Sequence, residues 1–382
     1  MWRAPHLPLF LLAAVWAALA PLVWLFPALS DDPAGWHRQE LILGFAGAAM
    51  GGYLLTALPH WLKLAERSAS GRGPGKRAVQ ALVVAWIAGR VAALQPDTDL
   101  SVLTGISIFP LGLSACLLVP VLSARLWSRL PIALAPVGLL AAGLWLRMTG
   151  DGLTAALAMA LLVAVVGGRI VPAFLRARAG HAAPPVTGRV ADLVLALALA
   201  AHLLGMRDGV TGWLLLAAAA GQGARMLRWP LAEGLAGRPA DLAMLVAAWL
   251  WLPAGLALIG LLLVAPSVLA GLSPPAGVHA LTMGLMGGMI QAVMARASMR
   301  RGPGVLQAGN GHKIAFALIM LATVLRLALS ASPEALAVPT LTWCLGWAVF
   351  AGCAVRSLWA PVPHPVLSAA RPGAASARPA RR

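Results

Sequence analysis

The sequence predicts an all-α, polytopic membrane protein of about twelve transmembrane helices with both termini in the cytoplasm. Three observations lead there. Hydrophobic residues fill 60% of 382 positions and charged residues only 11%, whereas soluble domains average about 25% charged. Apolar runs of spanning length repeat from end to end. The basic residues, finally, concentrate in alternate connectors, as cytoplasmic loops require. The formal charge of +17 therefore reads as topology and not as a phosphate-binding face. The expected partner is the lipid bilayer, and nucleic acid is excluded.

The spans fall near 7–29, 41–62, 78–95, 100–122, 131–148, 153–174, 190–206, 211–228, 242–264, 277–297, 313–330 and 338–359. The first follows a lone Arg3 and exceeds the roughly 7–15 residues of a secretory h-region, so it reads as a retained helix. Lys63, Arg67, Arg72, Lys76 and Arg77 follow span 2; Arg125 and Arg129 follow span 4. Arg176, Arg178 and Arg189 follow span 6, and Arg296, Arg300, Arg301 and Lys313 flank the connector after span 10. The intervening connectors carry Asp31 and Asp32, Asp97 and Asp99, no charge at 265–277, and Glu334. One missed helix would scramble this alternation. Residues 1–359 thus form a single bundle. Residues 360–382, rich in Pro, Ala and Arg, read as a disordered basic tail. Cys116, Cys344 and Cys353 all lie inside apolar spans, where packing is their ordinary role. Many of the 15 Trp sit near span ends and read as interfacial anchors.

That topology sorts the histidines by depth. His37 and His279 open spans 2 and 10 at the outer face, and His202 lies about one helical turn inside the outer end of span 7. Glu40 shares a face with His37, and Arg90 and Arg326 close spans 3 and 11 in the same layer. Polar groups so near a bilayer core are costly unless paired or liganded. Neutral imidazole is a frequent ligand of haem iron and copper, and helices of a bundle bring such ligands together from distant stretches. One reading makes His37, His202 and His279 ligands of a metal, a haem or both. The other leaves each as an interfacial histidine satisfied by a carbonyl or water. Arg90 and Arg326 either pair with Glu40, grip haem propionates, or snorkel to the headgroups. Met283 shares the face of His279, and imidazole with thioether suits copper(I); Met is also an ordinary packing residue.

Spans 2, 6 and 10 are all Gly-rich and run inward. Each precedes a span with one polar residue near its outer end: Arg90, His202 and Arg326. This is a faint internal repeat. No phosphate-binding loop, dinucleotide fingerprint or nucleophile elbow is present, so nucleotide chemistry and ordinary hydrolysis are poorly supported.

Four stretches carry a resemblance. They are W-H-x-x-E at 36–40 running into G-F-A; L-L-T-A-x-P-x-W at 54–61; G-G-R-x-x-P-x-F at 167–174; and H-A-L-T-x-G-x-x-G-G-M-I-x-A-V-M-x-R-x-S at 279–298. In these the chain resembles the NnrS family, polytopic bacterial membrane proteins described as containing haem and copper and linked to nitric oxide metabolism, denitrification and nitrosative stress. The resemblance implies twelve helices in the inner membrane, and a haem, with copper a further possibility, near the periplasmic face. It also implies nitric oxide or an iron-nitrosyl species as partner. Carried over by position, the site residues are His37, Glu40, His202, His279, Arg90 and Arg326; Met283 joins the candidate metal ligands only through its spacing from His279. The chain departs from the family at Gln39, where a second His is usual, at His60, usually Asn, and at Val246, usually His. Residues 299–302 also replace a G-H-T-G-R run. The main rival is a secondary transporter without redox cofactor, for which twelve spans and repeated Gly-rich helices are also usual.

Overall fold

A helix stands at each of the twelve predicted spans. α1 (His6–Leu19) tightens into a 3₁₀ turn at Ala20–Trp24, with Pro21 at its start. α2 covers 33–64 in three pieces: α-helical Pro33–Gln39, π-helical Glu40–Ala46 and α-helical Gly47–Leu64. Its start is fixed by Pro33 and by Asp32, whose carboxylate accepts from the Gly35 N–H at 2.9 Å. There follow α3 (Lys76–Ala92), α4 (Asp99–Ser123), α5 (Ala135–Thr149), α6 (Gly152–Ala179), α7 (Arg189–Leu203), α8 (Asp208–Leu227) and α9 (Ala240–Val264). α10 covers 274–298 and repeats the construction of α2: Pro274–His279, π-helical Ala280–Gly287, then Gly288–Ser298. A two-stranded hairpin, β1 (Arg300–Gly302) antiparallel to β2 (Val305–Gln307), leads to α11 (Asn310–Ala328) and α12 (Ala337–Ser357). This computed structural model describes residues 2–64, 74–95, 99–181, 188–302, 305–330, 333–362 and 366–367. The predicted connector charges Arg67, Arg72 and Asp97, and most of the predicted tail, lie outside the described residues.

Among the described residues, nine helices are long and apolar enough to cross a membrane. The three that fall short of the predicted twelve are α3, α7 and α8. α3 and α7 have 17 and 15 residues, about 25 and 22 Å at 1.5 Å per residue, against a hydrocarbon core of about 30 Å. α8 has 20 residues, but Gln222, Arg225 and its glycines dilute its apolar character. The chain is a multi-pass membrane protein on the remaining nine. Its outward apolar residues fit that medium: Leu103, Leu111 and Val119 on α4, and Leu193 and Leu197 on α7, are all exposed.

Two compact units divide the chain, Met1–Ala158 with Glu334–Ala360, and Met159–Pro333 with Pro361–Arg382. In the first, α1 packs between α2 and α12, and α4 packs against α3 and α5. Its core is aromatic. Phe45, Trp347 and Phe350 are buried, with the Phe45 and Trp347 rings 4.8 Å apart at 70°. In the second, α8 packs on α7 and α9, and α9 on α10. Gly212 and Gly260 bring α8 and α9 so close that a Cβ on Gly260 would stand 2.9 Å from the Gly212 carbonyl oxygen, the small-residue contact that replaces hydrophobic driving force in lipid.

Several Trp residues bind helices together and do not anchor an interface. Trp343 on α12 donates to the Ala17 carbonyl at 2.9 Å, and Trp36 on α2 to the Ala93 carbonyl at 3.0 Å. Trp24, Trp127, Trp213 and Trp359 are the exposed ones, and these match the anchor role. Trp86 on α3 is buried and donates to the Gly44 carbonyl, inside the π segment of α2, at 2.9 Å. Trp86→Phe keeps the ring but removes that donor, and should lower stability by roughly 1 kcal/mol. The melting temperature in detergent reads it; an unchanged melt would mean the π segment needs no outside donor.

Candidate functional site

Each unit carries one polar constellation beside the π segment of its Gly-rich helix. In the first unit, Glu40 opens the π segment and is fully buried. Its Oε2 accepts from Trp16 Nε1 at 2.8 Å and from Arg90 Nη1 at 3.0 Å. Arg90, 4% exposed, also donates through Nη2 to the Gly105 carbonyl at 2.7 Å and stands over the Trp86 ring at 5.8 Å. Trp86 meets Trp16 edge to face at 5.7 Å. The glycine at 44 makes the knot possible, since a Cβ there would overlap both the Trp16 indole and the Arg90 guanidinium. Glu40 Oε1 and Arg90 Nε are buried without a hydrogen-bond partner. Of the three roles read for Arg90, the structure displays pairing with Glu40, so its charge is already compensated. His37, one turn before Glu40, is half-buried with its ring 5.5 Å from Trp24.

In the second unit, His279 ends the first piece of α10 and is half-buried. Its Nδ1 lies 2.8 Å from the Pro275 carbonyl oxygen. A carbonyl only accepts, so Nδ1 carries the proton and Nε2 keeps its lone pair. That is the arrangement by which ligating histidines are oriented from behind. Met283, four residues on and buried, lies in the π segment. The Pro274–His279 turn packs against α11, the helix that carries Arg326 in its last turn. Arg326 is half-buried, and its Nη1 is buried without a partner. His202 is half-buried in the last turn of α7. His37 thus belongs to the first unit, His202, His279, Met283 and Arg326 to the second. Among the described residues no three His, Cys, Asp or Glu side chains gather as a metal cluster.

Two buried knots at the other ends of these helices were missed by sequence reasoning. Arg225 on α8 is 4% exposed; it donates to Asp192 Oδ1 at 3.0 Å and to the Gly168 carbonyl at 2.9 Å, while Gln222 Nε2 donates to the same Asp192 oxygen at 3.0 Å. Arg296, read as a connector charge, is buried, pairs with Asp241 at the start of α9 and lies 4.0 Å from the Phe174 ring. The usable signal was an Asp in the first turn of span 7 and another immediately before span 9, each awaiting an Arg from another span. Next to Arg296, the Arg301 guanidinium donates to the Met299, Arg296 and Val366 carbonyls. Burial, and then the neighbouring Arg296 charge, push it down to about 10, so it stays protonated at neutral pH.

Compared with known proteins, the chain matches the family described as NnrS protein over residues 1–361. No curated protein matches it.

Proposed function

The chain belongs to the NnrS family, and from that membership together with the geometry of His279 we propose that it is an integral membrane haem protein, with copper as a second candidate metal. It acts in nitric oxide metabolism or in relief of nitrosative stress, within the bacterial inner membrane and with its cofactor near the periplasmic face. The observation that carries this reading is the Nδ1–H···O bond from His279 to Pro275, which leaves Nε2 as an aimed donor. The donor set fits the group: an imidazole nitrogen, a thioether from Met283, and a guanidinium from Arg326 with an open N–H for a carboxylate. A bound haem iron would supply the coordination position for nitric oxide or an iron-nitrosyl species. The residues do the rest. Pro275 fixes the ring, and Arg326 supplies positive charge. His37 and His202 are the further candidate ligands, and Glu40 with Arg90 braces the first turns of α2.

An optical spectrum with metal analysis of the detergent-purified protein tests this. A Soret band is expected in the wild type, and His279→Ala should lower haem occupancy at least about tenfold, in the range seen when ligand support is lost. His37→Ala and His202→Ala are to be read alongside it. A full Soret band in His279→Ala would overturn the assignment of that residue. One observation favours the transporter reading: both units hold a Gly-rich helix interrupted in its upper half by a π segment, as repeated, broken helices do in carriers. Absence of any Soret band or bound metal in freshly purified protein would decide for it.

A further inference from the structure

The two π segments begin at the same position when 240 is added to the first, and the shift aligns Glu40 with Ala280, Leu41 with Leu281, Gly44 with Gly284 and, just past the first segment, Gly47 with Gly287. Both helices begin at a proline, and both are followed in chain order by a helix with an arginine in its last turn. The electrostatics differ. In the first unit Arg90 meets the carboxylate of Glu40. In the second that position is Ala280, buried and apolar, and Arg326 makes no ion pair with any described carboxylate. Its Nη1 is buried without a partner.

A second unpartnered group lies where the start of α10 meets the end of α11. Ser273, the residue before α10, donates its backbone N–H to Ser330 Oγ at 3.3 Å, one turn beyond Arg326. The Ser273 hydroxyl itself is buried with no hydrogen-bond partner. An open guanidinium N–H and an open hydroxyl in a membrane bundle are costly as they stand. Both are donors, and the His279 ring is held in the tautomer whose proton is already used. No acidic side chain is supplied where the first unit supplies one.

We propose that Arg326 and Ser273 form a seat for a small planar oxyanion, the chemistry shared by a carboxylate and by nitrite, in the place the Glu40 carboxylate takes in the first unit. A guanidinium fork matches two coplanar oxygens in bidentate fashion, and the Ser273 hydroxyl supplies a further donor. The inference deepens the reading of His279 as a ligand and rests on it for the ligand's source. A haem propionate and a free oxyanion beside the metal are the two sources.

The test uses the full-length protein in detergent, titrated with sodium formate and sodium nitrite against sodium chloride at matched ionic strength. Thermal unfolding and equilibrium binding are the readouts. A saturable rise in melting temperature with formate and nitrite, absent with chloride, is expected. Arg326→Gln should weaken that binding at least tenfold, Arg326→Lys less, and Ser273→Ala by a few fold. If Arg326→Gln does not fold, the lysine and Ser273 variants carry the comparison. Free haem and its dimethyl ester separate the sources: competition with formate by the acid alone identifies a propionate, and competition by neither identifies a free oxyanion. The titration is run on the protein as purified and again after haem extraction, so that a bound propionate does not mask the seat; no difference between formate and chloride in either state, or equal binding by Arg326→Gln, overturns the seat. A Soret band in the purified protein with no oxyanion effect before or after haem extraction would sink the seat alone. Oxyanion binding without a Soret band would sink only the metal reading.

Discussion

Glu40→Ala is expected to destabilise the protein by about 3–5 kcal/mol, because it leaves the Arg90 guanidinium buried and unpaired. Arg90 is 4% exposed, and its remaining partner would be the Gly105 carbonyl. Trp16 would lose its acceptor at the same time. The double variant Glu40→Met with Arg90→Met removes both charges and should recover most of the loss, as apolar replacement of a whole buried pair often does. Melting temperatures of the three proteins in one detergent decide the matter. If the single variant melts with the wild type, the pair is not a determinant of this unit. If the double variant is as weak as the single one, the loss comes from packing and not from the orphaned charge.

A comparable effect is expected at Gly168→Val. The Arg225 guanidinium lies where a Cβ on residue 168 would be, and the Gly188 position is closed in the same way. Valine would drive the guanidinium off the Gly168 carbonyl and off Asp192, leaving a buried cation and a carboxylate without each other. The cost should again reach roughly 3 kcal/mol or more. Limited proteolysis and melting of the variant test it. Gly168→Val combined with Arg225→Met should be milder than Gly168→Val alone. If the two are equally damaged, backbone crowding and not the displaced charge is at fault.

The helix positions were legible because lipid imposes one requirement on every spanning stretch, and each predicted apolar run is a helix in the structure. The Glu40–Arg90 pair was legible as one alternative, since two opposite charges at one predicted depth have few other ways to be satisfied. The Arg225 knot was not. Asp192, Gln222 and Arg225 come from two helices, and each alone reads as an ordinary polar residue near a span end. Its clearest sequence trace is Gly168, which looks like one more small residue in a Gly-rich helix. The roles of Trp16, Trp86, Trp343 and Trp347 were also hidden, because an indole near a span end faces either headgroups or a neighbour, and only the packing decides. Neither π segment has a residue signature: Glu-Leu-Ile-Leu-Gly-Phe-Ala and Ala-Leu-Thr-Met-Gly-Leu-Met-Gly are equally compatible with an α-helix.

Those two segments bear on how a bundle directs its side chains. A stretch of i to i+5 bonding accommodates one surplus residue, and one residue of an α-helix corresponds to roughly 100° of azimuth. The opening turns of α2 and α10, with His37 and His279, are therefore swivelled relative to the glycine faces below them. Wall and pointer are set independently: the lower helix can keep its neighbours while a single inserted or deleted residue redirects the imidazole above.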